Sequence, residues 1–206
     1  VKEEKILSLV AEKEVKGSVY SMCPFNGKLL TGVNSKVILW KMDSGEGKEL
    51  IQECSHTGNI IVLSINARGD FIIVGDLMKS ISLLVYKPVD GSLEELSRDF
   101  NAHWMTATEI LDDDTFLGAE NAYNLFTVRK NNDAASEEER KKLMVVGQYH
   151  LGDFVNKFRH GSLVMKLPTE TSNILEQQQQ QQQQQITTLL YGTVNGAIGV
   201  IAQLPK

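Results

Sequence analysis

Apolar and polar residues alternate along this chain in short runs, and turn-forming residues interrupt them about every 8–12 positions. A period of two is the mark of half-buried strands, because successive side chains in a strand point to opposite faces. The runs are Lys5–Val10 (KILSLV), Ser18–Cys23, Lys28–Val33, Lys36–Met42 and Lys48–Cys54, followed by Ile60–Asn66, Asp70–Gly75, Ser80–Lys87 and Leu93–Phe100. A third group comprises Trp104–Leu111, Thr115–Ala119, Ala122–Lys130 and Lys142–His150, and a fourth Phe158–Lys166, Ile186–Thr193 and Ala197–Leu204. Asn26-Gly27 and Asn195-Gly196 are hairpin signals, since both residue types tolerate positive φ.

The groups repeat. KLLTGVNSKVILWK, DFIIVGDLMKSISLLVYK and TFLGAENAYNLFTVRK share one rhythm of apolar strand, small residue, polar turn and second apolar strand. The period, roughly 42–46 residues, is that of four-stranded propeller blades. One blade cannot cover its two apolar faces, whereas blades stacked face to face can. The predicted fold is therefore all-β, a β-propeller of about four blades, part of a seven-bladed ring that needs roughly 300 residues to close. Lys5–Val10 reads as a lone outer strand, and the last blade lacks one. The whole of 1–206 is read as a partial propeller, with residues 167–185, which include the nine glutamines Gln177–Gln185, as a disordered low-complexity loop inside the last blade. Asn131–Lys142 is a second polar insert, read as a solvated charged loop, although Ser136 followed by three glutamates also resembles a helix start.

Composition narrows the classes. With 42% hydrophobic residues the chain is not wholly disordered, and no apolar run approaches the ~20 residues of a membrane span. A net charge of −5 argues against direct grip on a phosphate backbone. Cys23 and Cys54 read as core residues rather than a disulfide framework. The start, Val1 to Lys5, has neither an initiator methionine nor a signal pattern, so the chain reads as a piece of something longer.

No catalytic set emerges. The histidines His56, His103, His150 and His160 have no zinc-ligand spacing, and Asp112-Asp113-Asp114 reads as a turn rather than a metal cluster. The glycine-rich stretch Gly192–Gly199 reads as a hairpin, and neither a nucleophile elbow nor a Walker sequence is present. The expectation is a non-catalytic binding protein without cofactor or metal. Strand order then says which residues share a face. If the strands of a blade are lettered a to d outward from the centre, the d–a and b–c connections lie on one rim and the a–b and c–d connections on the other. The d–a segments are His56–Asn59, Asn101–Trp104 and Gly152–Asn156, and the b–c turns hold Asn34-Ser35, Leu77, Glu120-Asn121 and Val194. Leu77, Trp104, Phe154 and Val194 thus share a rim, and the charged and glutamine-rich inserts fall on the other. Large apolar residues in short loops mark a protein-docking surface, or else plugs between blades.

Four stretches carry a resemblance: GAENAYNLF at 118–126, HLGDFVNKF at 150–158, HGSL at 160–163 and YGTVNGAIG at 191–199. They resemble the C-terminal part of the cleavage-and-polyadenylation-factor A-subunit superfamily, and AEKEVKG (11–17), GDFIIVGDLM (69–78) and EILDDD (109–114) extend it over nearly the whole chain. Relatives in RNA 3′-end processing and splicing show Asp-Lys and a following Gly-Asn where this chain has Glu120-Asn121 and Tyr123-Asn124. The resemblance therefore implies the branch that works as adaptor of a cullin–RING ubiquitin ligase in DNA repair, with RNA processing or splicing as the alternative and a generic scaffold as a third reading. It implies a multi-propeller protein in which this chain is part of the third propeller. That propeller would clamp WD-repeat substrate receptors, including a damaged-DNA-binding subunit, while other propellers bind cullin. DNA contact would be indirect, no membrane is involved, and the location would be nuclear and also cytoplasmic. The partner-binding positions it implies are Leu63, Leu77, Trp104, Phe154, Asn156 and Val194.

Overall fold

The structure is a computed structural model that describes residues 7–43, 45, 48–163 and 187–203. It is all-β with one helical turn, and its strands form four antiparallel sheets in strict chain order, the arrangement of four propeller blades. Blade I comprises β1 (Val19–Phe25), β2 (Lys28–Val33), β3 (Lys36–Met42) and β4 (Leu50–Thr57). Blade II comprises β5 (Val62–Arg68), β6 (Phe71–Asp76), β7 (Ile81–Lys87) and β8 (Ser92–Arg98). Blade III holds β9 (Met105–Ile110), β10 (Thr115–Glu120), β11 (Asn124–Arg129) and β12 (Met144–His150). Blade IV has β13 (Val155–His160), β14 (Thr188–Thr193) and β15 (Ile198–Ala202) among the described residues. The first strands β1, β5, β9 and β13 neighbour one another in sequence, so they form the inner wall of the arc.

The core lies between blades. One buried cluster joins blades I and II through Phe25, Leu39, Ile65 and Leu84. A second joins II and III through Ile73, Leu83, Phe116 and Phe126, and a third joins III and IV through Leu117, Leu125, Phe158 and Leu189. The contact nearest the axis has one design. The first residue of each inner strand, Val62, Met105 or Val155, is buried against the preceding blade. Facing it on the preceding second strand stands a small residue. A Cβ on Gly32 would lie 2.6 Å from Val62 Cγ1, and one on Gly75 would lie 3.5 Å from Met105 Cβ. In the third interface Ala119 and Val155 share a cluster. At the ends of the arc the same parts stand without partners among the described residues. Val19 is 44% exposed, and a Cβ on Gly192 would meet nothing within 4 Å.

Several expectations need correction. Leu7–Val10 carries no strand, because nothing among the described residues pairs with it; Lys5 and Ile6 lie outside them. The first strand of blade IV begins at Val155, not Phe158, because Val155 already pairs with Thr193. His56 belongs to β4, where it pairs with Val37, and not to the connecting loop. The charged insert is not merely a solvated loop. Ser136 Oγ accepts from Glu139 N–H and caps the helical turn α1 (Glu137–Arg140). Beyond it, Lys141 O accepts from Arg98 N–H and Leu143 N–H donates to Arg98 O, so the insert ties blade III to the outer strand of blade II. The glutamine run lies outside the described residues.

Blades I and II are also joined by a polar triad. Lys28 Nζ donates to Glu53 Oε1 at 2.6 Å and to Tyr86 Oη at 2.8 Å, and the Tyr86 hydroxyl donates to Glu53. The hydrogen bond from Lys28, then that from Tyr86, holds the Glu53 carboxyl below the usual glutamate range despite partial burial. This contribution to stability is complete above the ordinary glutamate value of about 4.3 and is lost as pH falls through the lower folded value. Acid unfolding should therefore be less steep in Glu53→Gln than in the wild type, measured as stability against pH below about 4.3. Gly32→Ala should destabilise the protein by about 1–3 kcal/mol in denaturant titrations, since Val62 has no room to move aside.

Candidate functional site: one rim of the arc

The rim that carries the d–a and b–c connections is built by a hydrogen bond that recurs in every blade. A backbone N–H in the b–c turn donates to the carbonyl just before the inner strand. The pairs are Asn34 to Ser18 (3.1 Å), Leu77 to Ile61 (2.9 Å), Asn121 to Trp104 (3.0 Å) and Val194 to Phe154 (3.0 Å). A side chain reinforces each tie. Ser18 N–H donates to Asn34 Oδ1, Ile60 N–H to Asp76 Oδ2, the His103 imidazole to Glu120 Oε2, and the Asn195 amide to Asp153 Oδ1. Asp76 is almost fully buried, and its Oδ1 also accepts from the Met78 and Lys79 N–H groups, so one carboxylate organises both connections of blade II.

Immediately inside this tie, each inner strand skips one residue in its ladder. The skipped residues are Tyr20, Leu63, Thr106 and Asn156. A bulge of this kind re-aims a side chain and strengthens local twist. The four bulges present their residues at one level of the inner wall, at the edge of the same rim.

All six residues singled out from the sequence fall in these two rings. Leu77, Trp104, Phe154 and Val194 are members of the backbone ties, and Leu63 and Asn156 are bulge residues. Asn156 is a strand residue rather than a loop residue. Trp104 is 46% exposed and Val194 66%, while Leu63, Leu77 and Phe154 are half-buried and Asn156 is exposed. Two equivalent positions escaped the sequence reading: Tyr20, 47% exposed, and Thr106, whose Oγ1 is buried without a hydrogen-bond partner. Their spacing held the signal, since Tyr20, Leu63 and Thr106 recur at about 43 residues.

The acidic run before β10 is structural. Asp112 accepts from the Asp114 and Thr115 N–H groups, which makes the Asp112–Asp114 stretch a turn. Among the described residues no three of His, Cys, Asp and Glu come together to hold a metal ion, and no helix is long and apolar enough to cross a membrane.

The family model for the CPSF A subunit region matches residues 1–206. This chain belongs to that family. Within the CPSF A family it is 57% identical over 206 residues to DNA damage-binding protein 1 of Solanum lycopersicum. It is 55% identical over 206 residues to DNA damage-binding protein 1a of Arabidopsis thaliana, and 55% over 205 residues to DNA damage-binding protein 1 of Oryza sativa subsp. japonica. Those alignments cover 98–99% of this chain and 18% of each relative, so the chain spans less than a fifth of their length. The family membership expected from GAENAYNLF and its neighbours is borne out, and these relatives are named for DNA damage binding.

Asp76→Ala should show how much the rim depends on its ties. It leaves three backbone N–H groups without their acceptor and should destabilise the protein by about 3 kcal/mol, measured by denaturant unfolding.

Proposed function

We propose that this chain is the receptor-docking segment of a cullin–RING ubiquitin ligase adaptor acting in DNA repair. Its d–a and b–c rim captures WD-repeat substrate receptors, among them a damaged-DNA-binding subunit, for protein ubiquitination and nucleotide excision repair. The observation that carries this reading is the rim itself. Trp104 and Val194 stand exposed beside half-buried Leu77 and Phe154, all four on backbone ties that fix where the side chains begin. Large apolar groups on a rigid frame suit an amphipathic helix laid into a groove, with Trp104 and Phe154 as anchors. Tyr20 and Thr106 join Leu63 and Asn156 along its inner margin.

The relatives are named for damaged-DNA binding, which supports the repair branch over RNA processing. DNA itself is contacted through partners, in keeping with the net charge of −5. Exposed Val19 and uncovered Gly192 support further blades on both sides, closing a seven-bladed ring whose remaining parts, with the cullin-binding propeller, lie elsewhere in the parent protein. The segment acts as a non-catalytic scaffold in nucleus and cytoplasm.

Trp104→Ala combined with Phe154→Ala, introduced into the full-length protein, tests the reading. Each truncation should weaken capture of WD-repeat receptors by about 2–4 kcal/mol while the thermal midpoint stays unchanged. Undiminished capture by the double variant would show that the receptors dock elsewhere.

A further inference from the structure

In blade III the tie between the two rim connections is unlike the others. Blades I and II use a side chain to hold a backbone amide, through Asn34 and Asp76. In blade III the tie joins two titratable side chains, His103 and Glu120, at 2.6 Å, and His103 directly precedes the exposed Trp104. Both are largely shielded, with 16% and 11% of their side-chain surfaces exposed. The imidazole also stacks on Phe126, with ring centres 4.4 Å apart and an interplanar angle of 22°.

The tie continues outward. Asn124 donates its amide N–H to Glu120 Oε1, and its Oδ1 accepts from His150 Nδ1 at 2.7 Å, at the outer strand of the blade. Facing a carboxylate, His103 Nδ1 carries its proton. Partial burial pushes the Glu120 carboxyl up, but the hydrogen bonds from Asn124 and His103 outweigh it and hold it below the usual glutamate range. The four polar side chains line one pocket of about 270 Å³ together with Phe126 and Gln148. Two backbone bonds complete the hold on the loop: His103 O accepts from Ser80 N–H at 3.2 Å and Trp104 O from Asn121 N–H at 3.0 Å.

We infer that Glu120 and His103 are positioning residues for receptor docking: their pairing, backed by Asn124 and His150, fixes the loop that aims Trp104 from the rim. The inference rests on the docking reading above and deepens it. The pair is long-range and local loop signals do not supply it. Without the pair the loop is held by the two backbone bonds alone and gains orientations, and a partner that needs one of them binds more weakly in proportion to its lost population. The apolar anchor and its polar support therefore act as a unit, with Trp104 making the contact and the pair holding it ready.

The test uses the full-length protein, with the purified WD-repeat damaged-DNA-binding subunit as probe. Two readouts are taken: the dissociation constant, and amide hydrogen exchange of the peptide covering residues 99–106. In His103→Ala and in Glu120→Ala, binding should weaken about tenfold and exchange in that peptide should rise, while peptides from β10 to β12 keep their protection. Glu120→Gln, which keeps an acceptor without the charge, should fall between wild type and Glu120→Ala. The double variant should bind no worse than either single variant, since both break one tie. Should Glu120→Ala unfold, His103→Ala, in the connection that precedes β9, carries the same comparison. Unchanged exchange in residues 99–106 overturns the clamp. Faster exchange with unchanged affinity overturns its role in docking, as does an additive double variant. Trp104→Ala is run alongside: if it leaves affinity unchanged, the docking reading itself fails, whereas the exchange data still report on the clamp.

Discussion

Everything in this arc depends on one close approach, the seating of a large apolar side chain from one blade on a small residue of the blade before it. Val62 on Gly32, Met105 on Gly75 and Val155 near Ala119 bring neighbouring inner strands together at the axis. Burying such a side chain is worth about 1.5–3 kcal/mol, but position matters more than that figure. The contact sets the first residue of each inner strand, and so the angle between blades. Outward from it the blades diverge, and the gap fills with the larger residues of the three interblade clusters.

Fixing the start of the inner strand also fixes the rim. The carbonyl immediately before it meets the b–c turn in every blade, and the residue immediately after the first pair is forced out of the ladder. Backbone geometry therefore repeats while the side chains at those positions differ: Ile61, Trp104 and Phe154 in one ring, Tyr20, Leu63, Thr106 and Asn156 in the other. A frame that repeats and a surface that varies allow one face to be shaped for partners without disturbing the packing beneath. The insert of blade III leaves this rim clear and spends its backbone on a second tie to Arg98 of β8.

The strands were most legible where turn chemistry bracketed them. β2 lies between Asn26-Gly27, both at positive φ, and the short turn at Asn34-Ser35, which β3 follows, and the bounds of both strands were readable to the residue. The inner strands were less so, because a bulge shifts the alternation by one. Polar Asn156 and Lys157 then follow Val155 in a pattern that mimics a loop, although pairing with β14 has begun. Lys5–Val10 shows the converse: its pattern suits a strand, yet Leu7–Val10 has no partner strand among the described residues, and alternation alone makes no sheet. Topology sufficed to gather Leu77, Trp104, Phe154 and Val194 on one rim, since antiparallel order leaves no other place for their loops. The pairing of His103 with Glu120 was not legible, because nothing local in either segment announces a partner seventeen positions away.

Under the proposed function, receptors meet the rim carrying Trp104 and not the one opposite. A photo-crosslinking amino acid placed in the full-length protein reads this directly, at position 104 in one sample and in the other at Val89, a fully exposed residue in the c–d connection of blade II. After irradiation with a bound WD-repeat receptor, the account predicts a receptor adduct from position 104 and none from position 89. An adduct from position 89 with none from position 104 would contradict it.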